Sequence, residues 1–309
     1  MAGTSDGAGE APSDQGDEEG GRPVATTATT MTVEPFGAAL GAEVRGIDLR
    51  DAGEPELRAE IRRAVLEHHV LAFPGQHLDD DEHRAFAATL GELYIHPMDR
   101  IAGVTESTIG HLVTDKDHQT RTDTWHLDVT YSPKPPAFGV NRCIVAPPAG
   151  GDTMWANLHL ALEGLSPAFR QRLVGLTTIS SIPEVLVQLK AGDVEADVVE
   201  RWRKELVDVA HPIVRRHPET GRDSLFCVST TTPIAEMSQA ESDAVLGVLE
   251  RHCADPNITC RWRWHEGDVV VWDERCTSHF AVRDPWVGTR SMRRILVEGD
   301  EPIAGGVEP

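Results

Sequence analysis

Ala137-Phe138-Gly139-Val140-Asn141-Arg142-Cys143-Ile144-Val145-Ala146 and, far along the chain, Val269-Val270-Val271-Trp272 both read as strands. Short apolar runs bounded by turn residues are the signature of strands that bury a face. Working outward, residues 211–216, 225–228, 258–264 and 293–298 share this character, as does Val70–Phe73, which Pro74-Gly75 ends. Near the start, Ala42-Glu43-Val44-Arg45-Gly46-Ile47 alternates in a strand-like way. Three segments are helical instead. Residues 54–68 place Leu57, Ile61, Ala64, Val65 and His68 on one face, and Asp79-Asp80-Asp81 opens a second helix with Phe86, Ala87 and Leu90 as its stripe. Residues 238–252 form the third, with Ser238 and Glu241 spaced as a capping box. Helices thin out between the second and third. Many separated strands joined by Gly and Pro turns predict a mostly β fold with flanking helices, a β-sandwich or jelly roll. No repeat of fixed period is visible.

Bulk properties narrow the function classes. The 309 residues are 40% hydrophobic and 26% charged, ordinary values for a globular chain with a substantial core. A net charge of -21 argues against nucleic acid and anionic membranes as partners and leaves small molecules. With no apolar run long enough to span a bilayer and no signal-like N-terminus, a cytoplasmic protein is expected. Residues 1–30 are polar, small and acidic, too poor in apolar side chains to repay their ordering entropy, so an acidic disordered tail precedes one domain over 31–309. Cys143, Cys227, Cys253, Cys260 and Cys276 form no CxxC pair and read as reduced structural thiols; Cys253 and Cys260 match no zinc spacing.

The segment that carries chemistry is Asp123-Thr124-Trp125-His126-Leu127-Asp128-Val129-Thr130. In a strand, residues two apart point to one side, so His126 and Asp128 can present an imidazole and a carboxylate to one point. Non-haem Fe(II) centres that activate O₂ need two histidines and one carboxylate on one face. His279, in Trp272-Asp273-Glu274-Arg275-Cys276-Thr277-Ser278-His279, is the candidate third ligand. Eleven residues after it stands Arg290, then Arg294. A guanidinium fork is suited to the far carboxylate of a 2-oxoacid. On the residues alone, Thr153 is equally a turn residue after Gly150-Gly151-Asp152, and His96 a loop histidine before Pro97.

Together these pieces resemble the taurine dioxygenase (TauD/TfdA) family. The matching stretches are residues 41–49, His96-Pro97, Trp125 to Thr130, Gly150 to Trp155, residues 211–222, and Trp272 to Asp300, in matching order from about residue 32 to 302. The resemblance implies a double-stranded β-helix of the jelly-roll, cupin-like type. It implies Fe(II) held by the catalytic residues His126, Asp128 and His279, and 2-oxoglutarate held by Thr153 and Arg290, with O₂ as second cosubstrate. It also implies a prime-substrate pocket with His96, Val129, Tyr131 and Arg294, and a homo-oligomer. The expected reaction is hydroxylation of a C–H bond, with succinate and CO₂ released. Desaturation or another oxidative tailoring step on the same scaffold, and a non-catalytic metal-binding jelly roll, are the alternatives.

Arg294 predicts an anionic group on the substrate, such as a sulfonate, sulfate ester or carboxylate. Asp99 and Thr122 stand where a taurine enzyme offers Tyr and Asn, which puts taurine itself in doubt. Asp99 could pair with an amine, which would make an amino-acid derivative or other zwitterion the substrate, or could serve only as a surface acid beside Arg100. The remaining histidines, His69, His159 and His217 among them, read as structural or surface residues.

Overall fold

The structure is a computed structural model that describes residues 30–115, 123–229, 231–283 and 288–306. Thr122 and the acidic tail, apart from Thr30, lie outside the described residues. Seven strands form the larger sheet, in the order Thr32–Pro35, Ala42–Arg45, Val70–Phe73, Val269–Asp273, Phe138–Val145, Arg290–Val297 and Gly110–Thr114. All its pairings are antiparallel except the one between Ala42–Arg45 and Val70–Phe73. A smaller antiparallel sheet orders Thr259–Trp262, Thr153–Asn157 and Thr277–Ala281.

Side-chain alternation along Val269–Asp273 shows how the layers stack. Val269 and Val271 join the core under the helices Pro55–His68 and Asp80–Leu90. Val270 and Trp272 face the other way, into a cluster shared with Trp155 and Cys260 of the smaller sheet. Both faces of this central strand are therefore buried, and at roughly 25 cal/mol per Å² such strands supply much of the hydrophobic stabilisation. A Cβ at Gly139 would fall inside the Trp272 indole, so the neighbouring strand needs glycine there. The two-sheet sandwich is the expected jelly roll.

The helices at Pro55–His68 and Asp80–Leu90 and the capping box of Gln239–Cys253 form where the sequence predicts them. The expected scarcity of helix between them is wrong. Pro97–Ile101, Leu158–Gly164, Pro167–Leu173, Glu184–Lys190 and Ala196–Glu205 are also helical. Four of them have at most seven residues, too few to show a clear period; Glu184–Lys190, for instance, buries only Val187, against Met98, Val199 and Trp202. Ala196–Glu205 is amphipathic and simply escapes the sequence reading. Residues 211–216 are two strands, Val209–Pro212 and Val214–Arg216, which pair in different sheets. The strand expected over 225–228 lies instead at Asp223–Leu225, and Cys227 turns the chain away at φ 52°. All five cysteines are free and buried. Among the described residues no helix is long and apolar enough to cross a membrane.

Candidate active site

His126 and His279 are neighbours because their backbones pair. His126 N–H donates to His279 O at 3.0 Å and His279 N–H donates to His126 O at 2.8 Å, an isolated antiparallel bridge that extends the smaller sheet by one residue. Such an exchanged pair places two side chains on one face, and the imidazole centroids are 4.1 Å apart. Asp128 arrives by a different route from the strand expected. The chain leaves the sheet after His126 and turns, with Val129 at φ 53°, a left-handed conformation that a β-branched residue adopts only when its surroundings hold it there. One ligand atom from each of His126, Asp128 and His279 lies within 4.8 Å of the others.

The hydrogen bonds around the three side chains set their chemistry. His126 Nδ1 is 2.7 Å from Thr124 O; a carbonyl only accepts, so Nδ1 carries a proton and Nε2 is the nitrogen available to a metal. His279 directs Nε2 toward Asp128 Oδ1 at 4.0 Å and Nδ1 toward Glu274 Oε1 at 3.8 Å. Its Nδ1 is buried without a hydrogen-bond partner, and burial holds the ring well below the usual histidine pKa, hence neutral. Burial raises the Asp128 pKa, but Arg294, the two histidines and the hydrogen bond with Glu274 together outweigh it and bring the carboxyl down to about 2. Glu274 behaves oppositely. Burial first, then the Asp128 carboxylate, push it well above the carboxylate range, so it is a neutral acid. It accepts from Trp272 Nε1 at 2.7 Å and from Asp128 N at 3.3 Å. Two imidazoles and one ionised carboxylate, converging without a mutual hydrogen bond, fit a divalent iron ion.

Arg290 and Thr153 come together on adjacent elements. Arg290 Nη2 is 3.4 Å from Thr153 Oγ1, which also accepts from Trp264 Nε1 at 2.9 Å. With both lone pairs engaged, the hydroxyl has its own proton left to donate. Arg290 is only 7% exposed, has no carboxylate partner among the described residues, and its Nε is unpaired. Burial lowers its pKa to about 10, which still leaves it charged at neutral pH. A buried cation without an anion is costly, so this corner fits an incoming carboxylate. Gly151 keeps the approach open, since a Cβ there would stand 3.0 Å from Arg290 Cδ.

A cavity of about 960 Å³ opens beside the histidines. His96, Asp99, Val129, Tyr131 and Arg294 line it with His126 and Asp128; Arg290 and Thr153 do not. Arg290, Met292 and Arg294 alternate along one face of their strand, whereas Arg293 is on the other, half-buried. Arg294 holds Asp128, and Asp99 is bound by Lys190 Nζ at 2.8 Å and by the Thr108 hydroxyl at 3.3 Å. Arg100, the neighbour expected for Asp99, pairs with Glu298 instead. His96 Nδ1 accepts from Met98 N at 3.2 Å, so Nε2 bears the proton it shares with Tyr131 Oη at 2.6 Å. Leu112, Leu127, Ile182, Leu186, Val228 and Leu296 supply an apolar wall.

The family model described as taurine catabolism dioxygenase TauD, TfdA family matches residues 32–296. The chain belongs to the TauD/TfdA family. Among TauD/TfdA relatives, an alpha-ketoglutarate-dependent sulfate ester dioxygenase of Pseudomonas putida is 34% identical over 281 residues, covering 89% of this chain and 92% of its own. An alkylsulfatase of Acinetobacter baylyi is 35% identical over 266 residues, with 84% and 83% covered. The crystal structure of a taurine dioxygenase from Burkholderia xenovorans superposes with a TM-score of 0.72 at 31% identity, covering 89% of this chain and 93% of that one.

Within this TauD/TfdA site, two neighbours escape the sequence reading. Glu274 stands inside the quoted Trp272-to-His279 stretch, yet only the fold shows it beneath Asp128. Lys190 comes from a short helix 91 residues away from Asp99, and no local signal points to it.

Proposed function

We propose that His126, Asp128 and His279 hold Fe(II), that Arg290 and Thr153 hold the far carboxylate of 2-oxoglutarate, and that Arg294 receives the anionic head of an organic sulfate or sulfonate with an apolar body. The enzyme is an Fe(II)- and 2-oxoglutarate-dependent dioxygenase. With both groups bound, the centre couples decarboxylation of 2-oxoglutarate to succinate and CO₂ with oxidation of a substrate C–H bond by O₂. The observation that carries the reading is a three-donor cluster, two of whose members, His126 and Asp128, line a large cavity that also contains a cation, Arg294, with a second buried cation, Arg290, outside it.

This chain's residues divide the work. His126 offers Nε2 because Thr124 O holds the proton on Nδ1. Asp128 stays ionised beside Arg294. Arg290 uses a planar fork on a carboxylate, which fixes the cosubstrate's direction as well as its charge. Tyr131 takes the Nε2 proton of His96 into a hydrogen bond and so turns its own O–H toward the cavity. The leucine-rich wall beyond Arg294 favours an alkyl or aryl substituent and excludes water from it. A zwitterionic substrate is disfavoured, because Lys190 already neutralises Asp99.

Residues 31–309 would form a single oxygenase domain behind an acidic leader, acting in the cytoplasm as a homo-oligomer. The free, buried thiols suit a reducing compartment. Succinate release from purified enzyme with Fe(II), 2-oxoglutarate and O₂, across alkyl sulfates, alkyl sulfonates, phenoxyalkanoates and amino acids, tests the substrate class. Sulfates or sulfonates of medium chain length should stimulate turnover most. Stimulation by amino acids alone would overturn the assignment.

A further inference from the structure

A second group of metal-ligating side chains lies away from the cavity, where no function has been placed. His69 ends the first long helix, at its C-cap; His159 opens the helix Leu158–Gly164; Cys276 sits in the turn before Thr277–Ala281. The fold buries all three, at 4%, 0% and 0% exposure, with one ligand atom of each within 4.8 Å of the others. Cys276 Sγ is 3.5 Å from His69 Nδ1. For Zn–S near 2.3 Å and Zn–N near 2.0–2.1 Å in a tetrahedral site, neighbouring sulfur and nitrogen ligands are separated by about this distance.

The second observation concerns His159. Its Nδ1 donates to Asp223 O at 2.8 Å, which fixes the tautomer and leaves the Nε2 lone pair free. That Nε2 is fully buried and has no hydrogen-bond partner. A backbone carbonyl on the far nitrogen is the usual arrangement behind a ligating imidazole. A lone buried acceptor is otherwise a cost with no compensation.

We propose that Cys276, His69 and His159 form a buried binding site for a borderline-soft divalent cation, Zn(II) foremost. Neutral imidazoles and a thiolate suit Zn(II), whereas the hard oxygen ligands favoured by Mg²⁺ and Ca²⁺ are absent from this trio. Burial pulls the pKa of His69 and of His159 down to about 4, so both rings are uncharged and ready to ligate at neutral pH. Burial raises the Cys276 thiol, so the metal-free site holds S–H, and binding forms one metal–sulfur bond and releases one proton to solvent. Asp273, which shares a second close group with Cys276 and His217, supplies nearby negative charge, though Arg275 and His217 already bond it. The nearby His217 is not counted as a ligand, because its Nε2 is committed to Asp273. A cation here would tie three distant chain segments together just before the hairpin strand that carries His279.

Cobalt(II) titration of chelator-treated, iron-free, full-length protein under reducing anaerobic conditions separates this site from the iron centre. Only a cysteine ligand gives a near-ultraviolet thiolate-to-cobalt charge-transfer band, and the His126, Asp128 and His279 group contains no sulfur. The band should appear in the wild type, persist in a His126→Ala/His279→Ala double variant, and vanish in Cys276→Val, which keeps the size of the side chain. If Cys276→Val does not fold, His159→Leu replaces it and should weaken the band-forming affinity by roughly a hundredfold. No sulfur band in the wild type at saturating cobalt would reduce the trio to a thiol–imidazole hydrogen bond and overturn the proposal. A band unaffected by Cys276→Val, or by His159→Leu where that variant stands in for it, would also overturn it.

Discussion

Arg294 Nη1 lies 2.8 Å from Oδ2 and 3.0 Å from Oδ1 of Asp128. The cation assigned to the substrate's anionic head therefore grips the carboxylate of the proposed metal triad. Asp128 is 7% exposed, and an unpaired carboxylate at that depth would be protonated or strongly destabilising. No other described bond uses the guanidinium. Replacement by Arg294→Gln removes one charge-assisted interaction with the substrate, worth about 1.5–3 kcal/mol, so kcat/KM for a sulfate or sulfonate should fall roughly ten- to hundredfold. Steady-state succinate assays with an anionic substrate and with an uncharged ester of the same body check this: loss of the Asp128 partner weakens both, and the anionic substrate should lose roughly a further ten- to hundredfold.

Tyr131→Phe isolates a smaller contribution. Since His96 donates to the Tyr131 oxygen, the phenolic proton is free for the cavity, and its loss should cost about 1 kcal/mol, a fivefold rise in KM with kcat little changed. An unchanged KM would place the hydroxyl outside the substrate contact.

Arg290→Lys keeps the charge but loses the fork. Thr153 and Trp264 are arranged around a planar group, so the apparent affinity for 2-oxoglutarate should drop by about 2 kcal/mol, thirtyfold or so, while the KM for the prime substrate stays put. Isothermal titration of the metal-loaded, anaerobic protein with 2-oxoglutarate reads this directly.

Acid should destabilise the fold through buried histidines remote from the site. Burial lowers the His83 pKa from 6.5 to about 4. A depressed folded pKa means the unfolded chain takes the proton first. Stability is thus fully present above pH 6.5 and is lost as pH falls toward 4, by about 2 kcal/mol at pH 5 from this residue. His83→Phe should lose several degrees less in Tm than the wild type between pH 7.5 and 5. Equal losses in the two proteins would show that His83 does not titrate in this window.

The fold was legible where periodicity is strong and local. The apolar runs at Phe138–Val145 and Val269–Asp273, and the capped helices Asp80–Leu90 and Gln239–Cys253, carry their own signals of face and end. The candidate site was legible as residue types in order: the resemblance picks out His126, Asp128, His279, Thr153 and Arg290, and the fold brings the first three into one group and the last two into another. Their geometry was not. Strand alternation predicted the approach of His126 and Asp128, but the chain turns between them and Val129 takes up the strain. Asp99 looked free for an amine or for Arg100 because nothing near it in sequence announces Lys190. Glu274 was invisible for a similar reason: its protonated state arises from burial against Asp128, a contact across 146 residues. Short helices such as Glu184–Lys190 owe their existence to the surfaces they cover, which the sequence does not display.

His126, Asp128 and His279 are proposed to bind iron in a geometry that leaves room for 2-oxoglutarate. Anaerobic addition of Fe(II) and then 2-oxoglutarate to metal-free protein tests it most directly through the weak visible metal-to-ligand charge-transfer band. The band should develop at one iron per chain in the wild type and be absent from His279→Ala and His126→Ala. A wild type without the band, or a band that survives in His279→Ala, would contradict the assignment.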